Sequence, residues 1–368
     1  MDITTLLTSQ RDPAEGRLDT ASAGALQPGR VRVAVRRVAL TTNNVTYALF
    51  GELMSYWQFF PSGRDGLGVV PVWGFGDVVD STVPEVTVGS RYYGYWPLAD
   101  AVDLQPEKVS PRGFIDGAAH RAQLPSTYNR YMAAPPGASA DDEAALCIMR
   151  PLFGTAFLLT DFLQENDWFG ARQIVLSSAS SKTAYATAWC VRDQLSRGQG
   201  PALRLIGLTA PANAGFVRHL GFYDAVLGYD EIAAVDASLP TVFADFSGSA
   251  EQRTQLHHHL RDALRHSAVI GATQFSAGAR EATLPGAKPT FFFAPDRRRQ
   301  RLEDWGPEVL TQRLEDSQSR FLQQVLSGPT PGLRIVVHRG LAAACDVMAE
   351  LARGRSDPAL GHVIDISS

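Results

Sequence analysis

The sequence predicts a mixed α/β protein in which a β-rich region is followed by a doubly wound parallel sheet. Near the start, Val31, Val33 and Val35 alternate with arginine and alanine, which is typical of a half-buried strand. Residues 66–97 are rich in valine, tyrosine, tryptophan, glycine and proline, and this composition indicates short antiparallel strands separated by turns. From about residue 141 onward, strand and helix patterns alternate at the spacing of βαβ units.

The second half of the chain contains the elements of the predicted parallel sheet in a regular order. A helical stretch over 141–165 leads into it. The predicted strands are 174–177, 203–208, 225–227, 241–244, 268–271 and the very apolar 288–294, the predicted helices are 183–195, 212–220, 254–266 and 310–326, and the tail adds strand 333–338, helix 341–352 and strand 362–366. Because helices separate most of the strands, we expect parallel strands with helices on both faces of the sheet.

These patterns divide the chain into three parts. Residues 1–28 are polar and mixed, and they predict a loosely held leader. Residues 29–150, together with the tail at 330–368, predict a β-rich domain, and residues 151–329 predict the α/β domain. A chain of 368 residues is long enough for two domains with cores of their own.

Composition and charge limit the classes of partner. Hydrophobic residues make up 45% of the chain, charged residues 20%, and the net charge is −4, so we predict neither a nucleic-acid nor a membrane partner. The basic run at 297–301 is interpreted as a solvated loop or helix start, and the histidines 257–259 as a solvated helix face.

The 3 cysteines are widely spaced and imply no disulfide framework. Because there is neither an apolar run of about 20 residues nor a signal peptide, the cytoplasm is the expected location.

The segment 173–188 carries the strongest functional signal. An apolar strand runs into a loop of small hydroxyl residues and then directly into a helix. In an open parallel sheet, ligands bind beyond the carboxyl ends of the strands, and a helix N-terminus there suits a phosphate. The residues that could contact the phosphate are Ser178, Ser180, Ser181 and Thr183 through their hydroxyl groups and Lys182 through its charge. We therefore interpret this segment as the phosphate-binding turn of a dinucleotide site.

The same segment has an alternative interpretation. The glycines of a G-x-G-x-x-G loop are missing, although glycine lets the backbone approach a pyrophosphate closely. The segment could therefore be a serine-rich N-cap of an ordinary helix. A nucleophilic S-x-x-K motif does not fit, because Ala179 stands three positions before Lys182.

The end of the second predicted strand indicates which dinucleotide the turn would bind. Sites that prefer NAD place Asp or Glu there to bind the ribose 2′-hydroxyl, whereas residues 207–213 contain no acidic side chain. We therefore predict NADP(H) as the cofactor. The further candidate contacts to it are Thr209, Asn213, Arg218 and Tyr229, of which Arg218 and Tyr229 could instead be ordinary surface residues.

Eight segments match the motifs of one superfamily in order and spacing. They are 43–51 (NNVTYALFG), 73–81 (WGFGDVVDS), 88–94 (VGSRYYG), 155–159 (TAFLL), 179–180 (AS), 216–221 (FVRHLG), 226–229 (VLGY) and 245–248 (DFSG). Together they resemble the medium-chain dehydrogenase/reductase superfamily on its zinc-free quinone and enoyl reductase side. The segments 56–60 and 291–295 are similar to a family known as a domain of unknown function. The resemblance implies a Rossmann-type nucleotide-binding domain, a GroES-like substrate domain and an oxidoreductase activity.

The sequence departs from that superfamily at the phosphate loop and at the zinc positions. Ser178, Ser181 and Lys182 replace the loop glycines. Zinc-dependent members carry Cys and His-Glu where this chain has Thr46 and residues 73–75, and this chain has no cysteine cluster. We therefore expect neither a catalytic nor a structural zinc ion.

The resemblance also suggests which residues would carry the chemistry. Asn43 and Tyr47 lie where the superfamily places polar groups on the substrate side, so Tyr47 is the expected proton donor unless it is simply packed. Tyr56, Trp57 and Phe60 are expected to form an aromatic wall of the substrate site, although aromatic residues at such spacing also occur in cores.

Three functions remain open at this point. The first is the NADP(H)-dependent reduction of an enone, quinone or carbonyl of a small molecule by hydride transfer. The second is a catalytically inactive nucleotide- or ligand-binding protein with the same fold, which the missing glycines favour. The third, an acyl- or phosphate-group enzyme, lacks a recognisable G-x-S-x-G elbow. The apolar strand at 289–294 additionally predicts a homodimer formed through a sheet edge.

Overall fold

The computed structural model describes residues 1–270 and 284–366, and the chain divides into two compact units. The β-rich unit contains Met1–Arg150 and Arg334–Ser368, and the α/β unit contains Pro151–Leu333. The C-terminal tail therefore belongs to the same unit as the first part of the chain. Gly271, the last residue of the predicted strand 268–271, lies outside the described residues.

The helices and strands follow one another in an order that changes character near residue 140. The first part contains β1 (Asp2–Ser9), β2 (Gly16–Ser22), β3 (Val31–Leu40), α1 (Thr42–Leu49), β4 (Leu67–Val69), β5 (Pro71–Ser81), β6 (Arg91–Pro97), β7 (Ala101–Leu104), β8 (Pro106–Ser110), β9 (Gly113–Asp116) and β10 (Arg130–Ala133). The second part contains α2 (Ala140–Glu165), β11 (Gln173–Leu176), α3 (Lys182–Ser196), β12 (Arg204–Thr209), α4 (Ala214–His219), β13 (Ala225–Gly228), β14 (Thr241–Asp245), α5 (Ala250–Leu260), β15 (Leu264–Val269), β16 (Pro289–Phe291) and α6 (Ala294–Leu326). The tail contains β17 (Arg334–Arg339), α7 (Gly340–Ala352) and β18 (Leu360–Asp365).

The β-rich unit is organised around a nine-stranded sheet in the order β17-β18-β3-β5-β6-β10-β9-β8, with β7 also paired to β3. Strands β17 and β18 are parallel and joined through α7, and β18 pairs antiparallel with β3. The alternating residues of β3 lie in the core, where Val31, Val33 and Val35 are all fully or almost fully buried. Arg32 is buried as well and forms an ion pair with Asp103, so this strand is covered on both faces instead of one.

The α/β unit contains a six-stranded sheet in the order β13-β12-β11-β14-β15-β16, and all its pairings are parallel. This is the strand order of a doubly wound dinucleotide-binding sheet. The fold class predicted from the sequence is therefore confirmed. Several boundaries differ. α5 ends at Leu260 and β15 already begins at Leu264, within the predicted helix 254–266. The predicted strand 288–294 is shorter (Pro289–Phe291), and α6 begins at Ala294, well before the predicted helix 310–326.

The prediction of a loosely held leader is wrong. β1 and β2 form an antiparallel hairpin, and β1 also pairs with β4. Leu6 and Leu7 of β1 are buried at 1% and 2% exposure, whereas Leu18, which pairs directly with Leu6, is exposed. These two leucines help to anchor the hairpin, and the strand that completes the three-stranded sheet lies some sixty residues away (Leu7 opposite Val69), so local composition could not reveal the pairing.

The interpretation of the basic run at 297–301 as solvated is also wrong for two of its arginines. Arg297 and Arg301 lie on the first turns of α6 and are buried at 5% and 7% exposure. Both form ion pairs with Asp161 and Glu165 of α2. The two arginines are four positions apart and therefore share one helix face, which contacts the acidic end of α2.

The histidine segment 257–259 is not a uniformly solvated face either. His257 is fully buried, and its Nδ1 lies 3.0 Å from the carbonyl oxygen of Pro285 while its Nε2 lies 3.0 Å from Oγ of Ser267. Because a carbonyl oxygen only accepts hydrogen bonds, Nδ1 carries the proton. The next residue, His258, is exposed, as expected for a neighbour on the other side of the helix.

Among the described residues, α2 is the one helix that is long and apolar enough to cross a membrane by length and composition. The sequence had predicted no such segment. Within the protein, 61% of the apolar window of α2 is buried. Packing therefore accounts for its apolar character, as for a core helix.

Candidate functional site

The predicted phosphate-binding turn lies at the carboxyl edge of the parallel sheet. β11 ends at Leu176 and α3 begins at Lys182, so residues 177–181 connect them. In the sheet, β12 lies on one side of β11 and β14 on the other, and the order of the strands reverses there. Ligands of doubly wound sheets bind at this switch point.

The turn has a backbone shape that usually requires glycine. Ser178 has φ +48°, in the left-handed region, which costs an L-residue about 1–2 kcal/mol. The N–H of Ser181 donates to the carbonyl of Ser178 at 2.8 Å and closes the turn. Ala179 fixes the turn to β12, since its N–H donates to the carbonyl of Leu208 at 2.9 Å. The turn therefore keeps a left-handed conformation although a serine occupies the position.

A buried carboxylate holds the start of this turn. Oγ of Ser177 donates to Asp245 at 2.7 Å and accepts the N–H groups of the next two residues after Asp245 at 2.9 and 3.0 Å. Asp245 is fully buried and forms an ion pair with Arg253 at 2.9 Å. The sequence analysis named Asp245 within a motif but missed Ser177 and Arg253. A serine directly after an apolar strand was the available signal for Ser177.

The structure brings the predicted phosphate contacts together on this turn. Ser181 is the N-cap of α3, and its side chain accepts the N–H of Ala184 at 3.4 Å. Lys182 and Thr183 form the first turn of the helix and are partly exposed. The hydroxyl of Ser180 is nearly buried and accepts a hydrogen bond from Nδ2 of Asn213 at 3.2 Å. Asn213 thus fixes the loop after β12 to the loop after β11.

The remaining cofactor candidates lie at different depths. Tyr229 follows β13, and its hydroxyl accepts the N–H of Ser178 at 3.0 Å. Burial raises the pKa of Tyr229, so the phenol keeps its proton at neutral pH and can donate it to a ligand. Thr209 ends β12 and is buried at 1% exposure, so its side chain lies behind the loop surface. Arg218 on α4 is exposed.

The β-rich unit contains the second group of predicted residues. Tyr47 on α1 lies in a compact aromatic cluster, with its ring centroid 4.4 Å from that of Tyr56 and 5.8 Å from that of Tyr95. Nε1 of Trp73 donates to the hydroxyl of Tyr47 at 3.4 Å. We call this group the tyrosine cluster; its members are Tyr47, Tyr56, Phe59, Phe60, Trp73, Tyr95 and Tyr128.

The start of α1 sets the position of Tyr47. Thr41 caps the helix, and the side chain of Asn44 completes a capping box with it. Nδ2 of Asn44 also donates to the carbonyl of Pro71 at 3.0 Å, which fixes the helix to β5. Asn43 and Tyr47 are four positions apart on the helix and therefore share one face. The side-chain amide of Asn43 lowers the pKa of the Tyr47 hydroxyl through a hydrogen bond. The predicted pair is therefore brought together.

The tyrosines of this cluster are neutral proton donors. Burial raises the pKa of Tyr47, and Tyr56 raises it further, whereas Trp73 and Asn43 lower it by a smaller amount. Burial also raises the pKa values of Tyr95 and Tyr128 well above the usual range. The phenols therefore stay protonated at neutral pH, and they suit donation to an oxygen atom better than proton abstraction.

The predicted aromatic wall of Tyr56, Trp57 and Phe60 is wrong for Trp57. Tyr56 and Phe60 belong to the tyrosine cluster, but Trp57 belongs to the other core of the unit. Its indole fits so closely against Gly51 and Gly68 that a Cβ atom at either glycine would lie 2.1 or 2.3 Å from it. A 3-10 turn carries Tyr56 and Trp57 and directs neighbouring side chains to different sides.

The cluster also contains residues that the sequence analysis missed. Trp73 comes from β5, Tyr95 from β6, and Tyr128 from a short 3-10 turn before β10. The signal for Tyr95 was the spacing of Tyr93 and Tyr95, two positions apart on one strand, which places both on the same face. Tyr128 had no local signal.

Two other features of the described residues lie away from these groups. A cavity of about 520 Å³ is lined by Trp168, Arg172 and Gln199 among others, and it lies at the amino ends of β11 and β12, opposite the predicted phosphate-binding turn. Within the described ranges, no group of three or more His, Cys, Asp or Glu side chains could hold a metal ion. The expectation that zinc is not used stays a prediction.

A six-stranded parallel sheet with a left-handed turn at its switch point, in a chain that also contains a β-rich unit, defines a protein with the fold of the medium-chain dehydrogenases/reductases. The chain belongs to the family described as "Protein of unknown function (DUF2855)", which matches residues 38–357. No curated protein matches the chain. The resemblance predicted from the sequence motifs is thereby confirmed.

Several solved structures share this fold over their full length. CurA from Vibrio vulnificus is 13% identical with a TM-score of 0.62, covering 100% of this chain and 99% of that chain. The quinone oxidoreductase from Coxiella burnetii is 13% identical with a TM-score of 0.61, covering 100% of both chains. The yhdH oxidoreductase from Salmonella enterica, in complex with NADP, is 13% identical with a TM-score of 0.54, covering 99% of this chain and 100% of that chain. At this identity the likeness shows the fold alone.

The left-handed backbone of Ser178 can be tested by substitution. Ser178→Gly is expected to raise the free energy of unfolding by roughly 0.5–1 kcal/mol, because relief of the left-handed cost exceeds the entropy that glycine adds. Ser178→Val should lower it by about 1–3 kcal/mol. Urea denaturation measures both. As a control, Ser196→Gly at the right-handed end of α3 should be destabilising, and the same sign at both positions would contradict the assignment.

Proposed function

We propose that this protein is an NADP(H)-dependent oxidoreductase that reduces an enone, quinone or carbonyl of a small molecule by hydride transfer. The left-handed backbone at Ser178 carries the proposal, because it preserves a phosphate-binding shape in a chain without the loop glycines. CurA from Vibrio vulnificus in complex with NADPH and the yhdH oxidoreductase in complex with NADP share the fold and support it. A cytoplasmic location and chemistry without zinc belong to the same proposal.

The residues around the turn fit a dinucleotide phosphate. The first N–H groups of α3 lie outside the hydrogen-bond ladder of the helix, and its positive end faces the turn. Ser181, Lys182 and Thr183 would contact the pyrophosphate, and Tyr229 would donate its O–H to it. No acidic residue follows β12, so Asn213 and Arg218 would be left to contact a 2′-phosphate. A bound nicotinamide would supply the hydride.

Tyr47 is the proposed proton donor to the substrate oxygen. Its phenol is protonated at neutral pH, and its oxygen accepts the indole N–H of Trp73. Because an indole N–H is a donor only, this contact leaves the Tyr47 proton for another acceptor. Asn43 beside it would hold the substrate oxygen or the phenol in place. Tyr56 and Phe60 would provide the aromatic wall.

A catalytically inactive binding protein is the second candidate function. Tyr229 already accepts the N–H of Ser178, a group that glycine-rich turns offer directly to a phosphate. Such a protein would bind the dinucleotide but transfer no hydride to any substrate. The two candidates therefore agree on binding and differ on turnover.

The cofactor preference is tested by fluorescence titration with NADPH and NADH. NADPH is expected to bind more tightly, and Arg218→Ala should weaken NADPH binding about tenfold while leaving NADH binding unchanged, because it removes a charged contact to the 2′-phosphate. Arg204→Ala is the matched control, since Arg204 is also exposed but lies at the amino end of β12. Tighter binding of NADH, or no binding of either, would contradict the proposal.

Turnover is tested by following NADPH oxidation with a panel of quinones, enones and aldehydes. The wild-type protein is expected to reduce at least one class, and Tyr47→Phe should lower kcat about 10²- to 10⁴-fold without changing NADPH affinity, because only the proton donor is lost. Tyr92→Phe is the control, since Tyr92 lies on β6 but packs in the other core. Binding without turnover on the whole panel would favour the inactive protein.

We also propose a homodimer formed through β16. This strand is the last in the six-stranded sheet and pairs with β15 on one side. Phe291 on it is 42% exposed, and exposed apolar side chains on the last strand of a sheet are commonly buried in assemblies. Light scattering should give twice the mass of one chain, and Phe291→Asp should halve it. A monomeric wild-type protein would rule out the dimer.

A further inference from the structure

The hydroxyl of Tyr95 stands apart within the tyrosine cluster. Tyr95 is fully buried, and no protein group among the described residues forms a hydrogen bond with its hydroxyl. The backbone carbonyl of the same residue is well satisfied, since it accepts the hydroxyl of Tyr131 at 2.7 Å. The position is therefore well ordered by its surroundings, and only the phenol oxygen lacks a partner.

An unpaired hydroxyl at this depth is unfavourable for folding. A buried polar group that loses water without gaining a partner destabilises the folded state, and such groups in native proteins call for an explanation. Phenylalanine would fill the same ring volume without that cost, and the cluster already contains it at Phe59 and Phe60. The fold by itself therefore gives no reason for a tyrosine at position 95.

The surroundings of the hydroxyl connect it to Tyr47. The ring of Tyr95 meets that of Tyr47 edge to face, with centroids 5.8 Å apart, and lies 4.8 Å from the ring of Trp73. The Tyr95 phenol favours the charged form of the Tyr47 hydroxyl and so lowers its pKa, although the Tyr95 oxygen forms no hydrogen bond of ordinary geometry among the described residues. A charged oxygen attracts a donor more strongly and at shorter distance than a neutral one.

The other groups that face Tyr47 are uncharged, so they could stabilise a negative charge on its oxygen only through hydrogen bonds. Tyr56 and Tyr128 are neutral phenols, and Asn43 and Trp73 contribute amide and indole groups. The cation that acts on Tyr95 is Arg121, which is buried and held in an ion pair with Asp116 at 2.9 Å. Its charge is therefore already compensated, and hydrogen bonds are what can stabilise a phenolate at Tyr47.

We propose that Tyr95 is a positioning residue whose O–H hydrogen-bonds to the Tyr47 oxygen once Tyr47 has given its proton to the reduced substrate. The inference rests on the proposed function. The hydride forms a C–H bond on the substrate, the Tyr47 O–H bond breaks, and an O–H bond forms on the substrate oxygen. Tyr95 keeps its own proton, and Tyr47 regains one from solvent. The Tyr95 hydroxyl thus gains a hydrogen-bond partner only when the Tyr47 oxygen becomes charged. Such a bond lowers the activation barrier of the reaction without strengthening substrate binding.

The test is Tyr95→Phe in the full-length protein, assayed with the substrate that the wild type reduces. The variant should lower kcat about tenfold to a hundredfold with KM and NADPH affinity unchanged, and its solvent deuterium isotope effect on kcat should increase because proton transfer becomes slower. Its urea midpoint should be equal to or above that of the wild type, since no protein contact is lost. A purely structural role would move the midpoint and leave the isotope effect unchanged.

Two further variants make the test specific. Tyr93→Phe on β6 also removes a buried hydroxyl that has no partner among the described residues, and it should keep wild-type kcat. Incorporation of 4-aminophenylalanine at position 95 retains a donor and should restore part of the lost kcat. If Tyr95→Phe keeps the kcat and isotope effect of the wild type while Tyr47→Phe is slow, this inference alone is overturned. If the wild type reduces nothing on the panel, the proposed function fails and the inference fails with it.

Discussion

The buried carboxylate of Asp245 is the interaction on which the candidate nucleotide site depends. It lies at the end of β14, accepts the hydroxyl of Ser177 from the neighbouring strand and is neutralised by Arg253. Loss of one partner would leave an uncompensated charge in the core, which typically costs about 3–5 kcal/mol. The contact joins the ends of β11 and β14, where the strand order reverses, and so holds the turn that begins at Ser177 in one conformation.

The turn that begins at Ser177 differs in chemistry from a glycine-rich phosphate turn. Glycine leaves its N–H groups open to a ligand, whereas here the N–H of Ser178 points to the phenol of Tyr229. A phenol both accepts and donates, so Tyr229 could offer its O–H to a ligand in place of the Ser178 N–H. In the proposed site, a phosphate would therefore contact hydroxyl groups more than backbone, and it would not need the close approach that glycine permits.

The tyrosine cluster of the β-rich unit also offers hydroxyl groups as donors, and these groups are uncharged. Burial keeps the phenols protonated, and the nearby guanidinium of Arg121 is committed to Asp116. A group of neutral donors suits an uncharged oxygen acceptor better than a carboxylate or phosphate. This agrees with the proposed reduction of an enone, quinone or carbonyl, in which charge appears on oxygen only during the reaction.

The sequence by itself determined the fold class, the order of most elements and the place of the turn between β11 and α3. Local patterns such as the alternation at Val31–Val35 and the helical spacing before Glu165 are sufficient for this, because periodicity reports which face of an element is apolar. Tertiary structure alone decided which side chains meet. It buried Leu6 against a distant strand, paired Arg297 with α2, and separated Trp57 from Tyr56. The physical reason is that burial and partnership depend on residues far away in the chain, and no local pattern contains them.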